Sequence, residues 1–196
     1  MNRSEWWTPQ AQQTAFRAVL DGFARPGTLV PTQDNGTDAV LMFLSAVLDE
    51  SVSLADPLGL LGADTRRLLL APTAPADQAR FALLNGRQPP DAGWQPSLGT
   101  LESPERGATL VLTVDALSDA AVTYTDSVLD LRLEGPGIPG TRMVSVTGLD
   151  PGWLAQRAAW VGAFPLGVDL VLAAPHALVA LPRTTRIAID PVKETV

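Results

Sequence analysis

The sequence is poor in the side chains that enzymes most often use for covalent or metal chemistry. It contains no cysteine, one histidine (His176) and one lysine (Lys193) near the C-terminus. The missing cysteines exclude disulfides, thiolate metal sites and a cysteine nucleophile. One histidine in an apparent turn argues against a serine triad or a multi-histidine metal cage, and one terminal lysine argues against a Schiff base with pyridoxal phosphate. We therefore expect no metal and no pyridoxal phosphate.

Carboxylates are the metal ligands that the composition leaves open. Asp49, Asp64, Asp130 and Asp169 are candidates for a carboxylate-only site or a catalytic carboxylate pair. Their spacing does not demand such a site, and carboxylates are most often exposed at the surface. For each of these four residues we therefore expect an exposed carboxylate or one at a helix end rather than a metal ligand or a catalytic group.

Long apolar runs are also missing. No segment approaches the ~18 consecutive apolar residues that a membrane-spanning helix needs. The N-terminal residues lack the apolar stretch of a signal peptide. We expect a cytoplasmic protein that does not enter a membrane.

Positive charge is scarce, with 14 Lys and Arg against 21 Asp and Glu and a net charge of −7. Nucleic-acid binding depends on cationic surface that displaces counterions, so we expect no nucleic-acid partner. Thirteen of the 14 cationic residues are arginines, and the planar guanidinium matches carboxylate and phosphate groups. Small anions therefore stay open as ligands, with a general compositional bias toward arginine as the alternative explanation.

Apolar periodicity and turn residues predict helices at three places in what we expect to be one domain, residues 1–196. The first starts at Thr8-Pro9 and ends at Arg25-Pro26-Gly27, and the second follows Thr37 as a possible cap. The third follows Asp150-Pro151, with an apolar face made by Leu154, Ala158 and Val161.

Short apolar runs between Pro and Gly breaks predict strands, separated by a long polar loop over residues 86–106. Helices at both ends of this pattern indicate an α/β fold, a single-domain mixed β-sheet flanked by helices. The predicted strands are Thr109 to Val114, Leu129 to Leu133, Met143 to Val146, Val168 to Ala173, Ala177 to Leu181 and Ile187 to Ile189.

Several segments combine glycine or proline with a charged residue at the end of a predicted element, where loops often carry function. Arg25 follows the first helix, and its alternative role is to complement the helix dipole. Gly135-Pro136-Gly137 is either a tight turn or a place where backbone approaches a ligand or a neighbouring subunit. The tight turn is the commoner use of glycine.

Asp169 and the segment Pro182-Arg183-Thr184-Thr185 form the second group of candidates. A carboxylate among apolar residues is costly unless it is paired, so we expect Asp169 to have a partner such as an arginine. Arg183, Thr184 and Thr185 either hold an anion or belong to a structural Asp–Arg pair beside an edge strand.

An ordered set of motifs resembles one known family. The motifs are D-G-F-A-R-P-G (residues 21–27), L-D (48–49), R-G-A-T-L-V-L (106–112), L-E-G-P-G-I (133–138), F-P-L-G-V-D (164–169) and P-R-T-T (182–185). Together they resemble the H-subunit family (PhnH) of the bacterial carbon-phosphorus lyase system. The resemblance implies a homodimer whose fold is similar to the large domain of pyridoxal-phosphate-dependent transferases but without the cofactor.

The resemblance also implies a place in phosphonate breakdown. In that family, subunits G, H and I act with the L protein to attach an alkylphosphonate to C1 of the ATP ribose and expel adenine, and subunit J later cleaves the carbon-phosphorus bond. We expect Mg-ATP to be a substrate of the complex, with Arg25 and Arg183 as anion contacts. Asp49 and Asp169 lie either near the sugar or in ion pairs.

Two other functions remain open from the residues alone. The chain is an independent transferase or hydrolase that uses its own carboxylates, or it is a non-catalytic scaffold or small-anion or nucleotide-binding module with a degenerate transferase fold. Whether the chain has enzyme activity of its own is therefore left undecided at this point.

Overall fold

The computed structural model describes residues 7–32, 38–119 and 128–190. Thr37 and Lys193 lie outside these residues. The helices are α1 (Pro9–Ala24), α2 (Ala39–Val47), α3 (Ala63–Leu68) and α4 (Gly152–Trp160). Helix α1 begins as predicted, because Thr8 Oγ1 accepts a hydrogen bond from the backbone of Ala11 at 3.3 Å and Pro9 occupies the first turn.

Two details of the predicted helices are wrong. The cap of α2 is Asp38 rather than Thr37, and its carboxylate accepts the backbone N–H of Val40 at 2.9 Å. In α4, Ala158 is exposed. The face that packs inward carries Trp153, Leu154, Arg157 and Trp160, because two bulky indoles bury more apolar area than alanines do.

The strands follow the predicted order, with additional short strands in the first half of the chain. They are β1 (Val30–Pro31), β2 (Leu54–Ala55), β3 (Phe81–Asn85), β4 (Thr109–Thr113), β5 (Ala116–Ser118), β6 (Val128–Glu134), β7 (Arg142–Thr147), β8 (Asp169–Ala174), β9 (Ala177–Leu181) and β10 (Arg186–Ile189). The long loop between β3 and β4 is confirmed and ends in a 3-10 turn, Pro104–Arg106.

The strands form two sheets, so the prediction of one mixed sheet is corrected. The larger sheet has the order β1-β9-β8-β4-β3-β2, in which β2, β3, β4 and β8 run parallel and β9 is antiparallel to β8. The smaller sheet is antiparallel, with the order β10-β6-β7-β5. Strand β10 pairs with β6, not with β9, because a bend at residues 182–185 carries the chain out of the larger sheet.

The larger sheet is buried on both faces. On one face α1 and α2 pack against Leu83, Val111 and Val171. On the other face α4 and the smaller sheet pack against residues such as Leu110 and Leu172. Central parallel strands covered on both sides are apolar at every position rather than alternating, and this explains the continuous apolar run of β4.

The strand ends of the larger sheet form two opposite edges. The amino edge is where β3, β4 and β8 begin, and the carboxyl edge is where they end. Because β9 runs in the opposite direction, its last residue, Leu181, lies at the amino edge. Within the described residues, every helix is too short or too polar to cross a lipid bilayer.

Candidate functional site

Most of the predicted site residues meet at the amino edge. Asp169 opens β8, and Arg183 follows the end of β9 by two residues. The antiparallel β8–β9 pairing, with Leu170 opposite Leu181, brings these two residues side by side. The predicted partner of Asp169 is therefore an arginine, as expected.

The pair is bidentate and largely shielded from water. Asp169 Oδ2 accepts a hydrogen bond from Arg183 Nη2 at 2.8 Å, and Asp169 Oδ1 accepts from Arg183 Nε at 3.2 Å and from the Arg183 backbone at 2.8 Å. Their side chains are only 18% and 12% exposed, respectively. This geometry gives the strong, charge-assisted form of the interaction.

Arg183 also ties two loops to the sheet. Its Nη1 donates to the carbonyl oxygen of Pro104 at 2.7 Å and to that of Pro165 at 3.4 Å. Gly107 lies against the Arg183 guanidinium, and a Cβ at this position would come within 2.8 Å of Arg183 Nη1. With its guanidinium engaged in this way, Arg183 is a structural residue, and an anion would have to displace Asp169 or a carbonyl oxygen to reach it.

The turn Gly135-Pro136-Gly137 joins this region to the end of α1. Gly135 has a φ of +139°, and a Cβ there would approach the carbonyl oxygen of Thr184 to 2.9 Å. Gly137 has a φ of +80°, and a Cβ there would collide with the carbonyl oxygen of Ala24. Both glycines are therefore needed for close backbone approach, whereas Pro136 is exposed.

The predicted site residues Thr184, Thr185 and Arg25 differ in solvent exposure. Thr185 is buried and donates its backbone N–H to the carbonyl oxygen of Pro182 at 2.8 Å, while Thr184 is exposed. Arg25 ends α1 and forms an exposed ion pair with Asp21. The residues on either side of Arg25 lie against Gly137. The guanidinium of Arg25 faces solvent and is already paired with Asp21.

Asp49 does not lie with the residues at the amino edge. Its carboxylate accepts hydrogen bonds from the Ser51 hydroxyl at 2.6 Å and the Ser51 backbone at 2.8 Å. These bonds, the side-chain one first, lower the pKa of Asp49. The residue closes an exposed turn before β2, which matches the alternative that it is an exposed carboxylate.

Arg157 and Arg80 belong to the amino-edge region and were missed in the sequence. Arg157, on α4, is 4% exposed and donates to the carbonyl oxygens of Pro182 at 2.7 Å and Thr185 at 3.2 Å. The sequence feature that could have identified Arg157 as a buried residue is its position on the inward face of α4. Arg80 immediately precedes the buried strand β3, a position that a solvated arginine rarely takes.

Burial disfavours the charge on both of these arginines. It lowers the pKa of Arg157 to about 10, and the carboxylate of Asp169 opposes the shift. It also lowers the pKa of Arg80, again with Asp169 opposing. The Asp169 carboxylate therefore favours the charged form of both arginines while it is hydrogen-bonded to Arg183.

This arrangement can clamp loops and create a positive local field, and its Asp169 carboxylate is already used by Arg183. We name it the amino-edge cluster, comprising Arg80, Gly135, Gly137, Arg157, Asp169, Arg183 and Thr185. Among the described residues, no group of three His, Asp or Glu side chains is close enough to hold a metal ion.

The carboxyl edge holds a different set of side chains. His176 is exposed in the β8–β9 turn, as predicted, and lines a cavity of about 370 Å³ together with Asp38 and Thr113. A second cavity of about 170 Å³ lies at the end of β3 and is walled by Trp94 and Trp153. The carboxyl edge therefore offers open space, whereas the amino-edge cluster is tightly bonded.

Comparison with known proteins identifies the family. The family model described as "Bacterial phosphonate metabolism protein (PhnH)" matches residues 4–188. A protein of Stutzerimonas stutzeri named as C-P lyase subunit protein HtxG is 41% identical over 181 residues, which cover 92% of this chain and 88% of the relative.

A second relative carries a more specific name. The alpha-D-ribose 1-methylphosphonate 5-triphosphate synthase subunit PhnH of Rhizobium meliloti (strain 1021) is 31% identical over 196 aligned residues, covering 89% of each chain. The motifs of the amino-edge cluster lie within the matched region. The chain therefore belongs to the PhnH family of bacterial phosphonate metabolism proteins.

Proposed function

We propose that this chain is a non-autonomous subunit of the complex that forms a ribose 1-phosphonate 5-triphosphate from ATP and an alkylphosphonate, with displacement of adenine. One observation carries the non-autonomous part of the proposal. Three motifs typical of the family, L-E-G-P-G-I, F-P-L-G-V-D and P-R-T-T, converge on a cluster in which the Asp169 carboxylate is neutralised by the bidentate Arg183. A cluster of this kind holds loops in place for a partner rather than performing the substitution itself.

The partners and cofactors follow from the same proposal. The chain forms a homodimer and assembles in the cytoplasm with subunits G, I and J and the L protein, while Mg-ATP enters as a substrate. No pyridoxal phosphate is bound, and the fold is a relative of the large domain of the transferases that use it. The mixed sheet with a parallel centre supports this likeness, and sedimentation at twice the mass of one chain tests the dimer.

The reaction itself can be tested by measuring adenine. The purified chain is incubated with Mg-ATP and methylphosphonate, alone and after co-purification with subunits G and I and the L protein. We expect adenine release only in the assembled mixture, and loss of that release when this chain is omitted. Adenine release by the chain alone would instead favour an independent transferase, and full activity without the chain would contradict the proposal.

A small-anion site is the second candidate function, and one observation favours it. Arg157 Nε and Thr185 Oγ1 are both buried and have no hydrogen-bond partner within the described part of the chain. The two residues are in contact, because Arg157 Nη1 donates to the carbonyl oxygen of Thr185 at 3.2 Å. Two unpartnered donors beside an excess of cations match a phosphonate or phosphate oxygen.

Thermal unfolding in methylphosphonate, compared with chloride at equal ionic strength, tests this second function. Saturation at ten times the dissociation constant stabilises a binding protein by about 1.4 kcal/mol. The variant Arg157→Gln should lose this anion-dependent increment, whatever its own stability. Arg67→Gln is the matched control, since Arg67 is 78% exposed on α3, and it should keep the increment.

A further inference from the structure

The second cavity at the carboxyl edge differs from the other cavities of the described residues because tryptophan rings form part of its wall. It lies between the end of β3, the proline-containing loop that follows and the first turn of α4, and it measures about 170 Å³. In sheets with parallel strands, ligands bind in crevices outside the carboxyl ends of the strands. The long polar loop singled out in the sequence supplies one of its walls.

Two tryptophans make the wall rigid. The rings of Trp94 and Trp153 meet edge to face, with centroids 6.2 Å apart, and Trp94 meets Trp160 in the same way at 5.5 Å. Trp153 Nε1 donates to the carbonyl oxygen of Gln88 at 2.7 Å, which ties α4 to the loop. The pocket is therefore preformed, and a ligand would not have to pay to order it.

The remaining apolar surface suits a flat ring. Leu84 is 8% exposed and lies at the end of β3, while Pro89 and Pro90 offer two rigid rings at the side. An apolar cavity of ~150 Å³ is large enough to bind benzene. The volume here therefore admits one aromatic ring system, and any sugar or phosphate attached to it would project into solvent.

The rim is polar and still has hydrogen bonds to offer. Asn85 Oδ1 accepts the backbone N–H of Arg87 at 3.0 Å, so its amide N–H groups are left for a ligand. The side chains of Gln88 and Asp91 line the same opening and form no hydrogen bond with the described residues. Donors and acceptors are thus both present, and a hydrocarbon would leave them unused.

We propose that this cavity binds a flat nitrogen heterocycle of purine size, either as the free base or as the base of a nucleoside. The ring packs against Trp94 and Trp153, and its polar edge bonds to Asn85, Gln88 and Asp91. The site lies at the opposite edge of the sheet from the amino-edge cluster. This inference goes beyond the proposed function, which assigns nothing to the cavity, and either can fail without the other.

Calorimetric titration of the full-length chain with adenine and with adenosine tests the proposal, and quenching of tryptophan fluorescence gives a second readout. We expect both probes to bind, with adenosine at least as tight because its sugar faces solvent. Cyclohexanol, which is apolar but not flat, should bind at least tenfold more weakly. Failure of both purine probes to bind at millimolar concentration would overturn the proposal, and so would equal binding of cyclohexanol.

Rim variants locate the site without disturbing the fold. Gln88→Ala and Asp91→Ala each remove one hydrogen-bonding group, and each should weaken adenine binding about fivefold, the effect of one ordinary hydrogen bond. Asp64→Ala is the matched control, because Asp64 is 75% exposed on α3, away from the cavity. Unchanged affinity in both rim variants would mean that the ring binds elsewhere and would refute the assignment.

Discussion

The Asp169–Arg183 pair gives the sharpest test of the amino-edge cluster. In Asp169→Asn the side chain keeps its shape and one acceptor oxygen but loses its charge. Two unit charges ~4 Å apart at an effective dielectric of ~20 attract by about 4 kcal/mol. Removing one member of a buried pair typically costs about 3–5 kcal/mol, because the other charge stays buried without compensation.

Two features of the structure place the expected loss within that range. The side chains retain 18% and 12% exposure, so water offsets part of the cost. Against this, the Asp169 carboxylate is also the charge that opposes the lowering of the pKa of Arg157 and Arg80. We expect Asp169→Asn to lower the free energy of unfolding by about 3 kcal/mol.

Urea unfolding followed by circular dichroism measures this loss, with an unchanged m-value as the sign that the unfolded state is unaffected. The matched control is Asp64→Asn, which breaks an ion pair of similar length, 3.1 Å to Arg67, between side chains that are 75% and 78% exposed. Exposed pairs contribute ~0–1 kcal/mol. If both variants lost less than about 1 kcal/mol, Asp169 would not be the electrostatic centre of the cluster.

Two further predictions concern the glycine turn and Asp49. Gly137→Ala should destabilise the chain by about 1–2 kcal/mol for its positive φ and further for the collision with the Ala24 carbonyl oxygen. Gly140→Ala has a similar φ of +74° but open space around the Cβ, so equal losses in chemical denaturation would contradict the close approach. Ser51→Ala should raise the pKa of Asp49, read by NMR titration, because it removes the first cause of the lowering. In the parent chain the lowered pKa favours the fold above about pH 4, and this contribution disappears on acidification. An unchanged titration in Ser51→Ala would exclude the hydrogen bond from the Ser51 hydroxyl, since the backbone bond remains in that variant.

Local patterns predicted much of the secondary structure. Helix α1, the alternation of β6 and the β8–β9 hairpin are all readable from the sequence, because the spacing of apolar residues and the turn residues act over a few positions. The same patterns placed the cap of α2 one residue early, and for the inward face of α4 they identified Leu154 correctly but chose Ala158 and missed both tryptophans. A hydrogen bond from the Val40 backbone to the Asp38 carboxylate decided the first outcome, and the packing of two tryptophans decided the second.

The candidate site was predicted unevenly. The need of Asp169 for a partner follows from the cost of burying a charge, and Arg183 is that partner. Arg25 pairs with Asp21 four residues earlier on α1, and Asp49 accepts hydrogen bonds from Ser51 two residues later. Both are local patterns, and they were missed in the sequence. Arg157 was missed, because a single arginine on an amphipathic helix is usually at the water boundary.

The sequence alone determined which chemistry the chain lacks and, through its ordered motifs, which family it belongs to, since composition and motif order do not depend on packing. Only the tertiary structure decided that the strands divide into two sheets and that β10 joins β6. It also decided that most of the motifs meet at the amino edge, while the cavity walled by Trp94 and Trp153 lies at the carboxyl edge. Strand pairing and charge pairing link residues far apart in the chain, and no local pattern specifies which distant partner gives the lowest free energy.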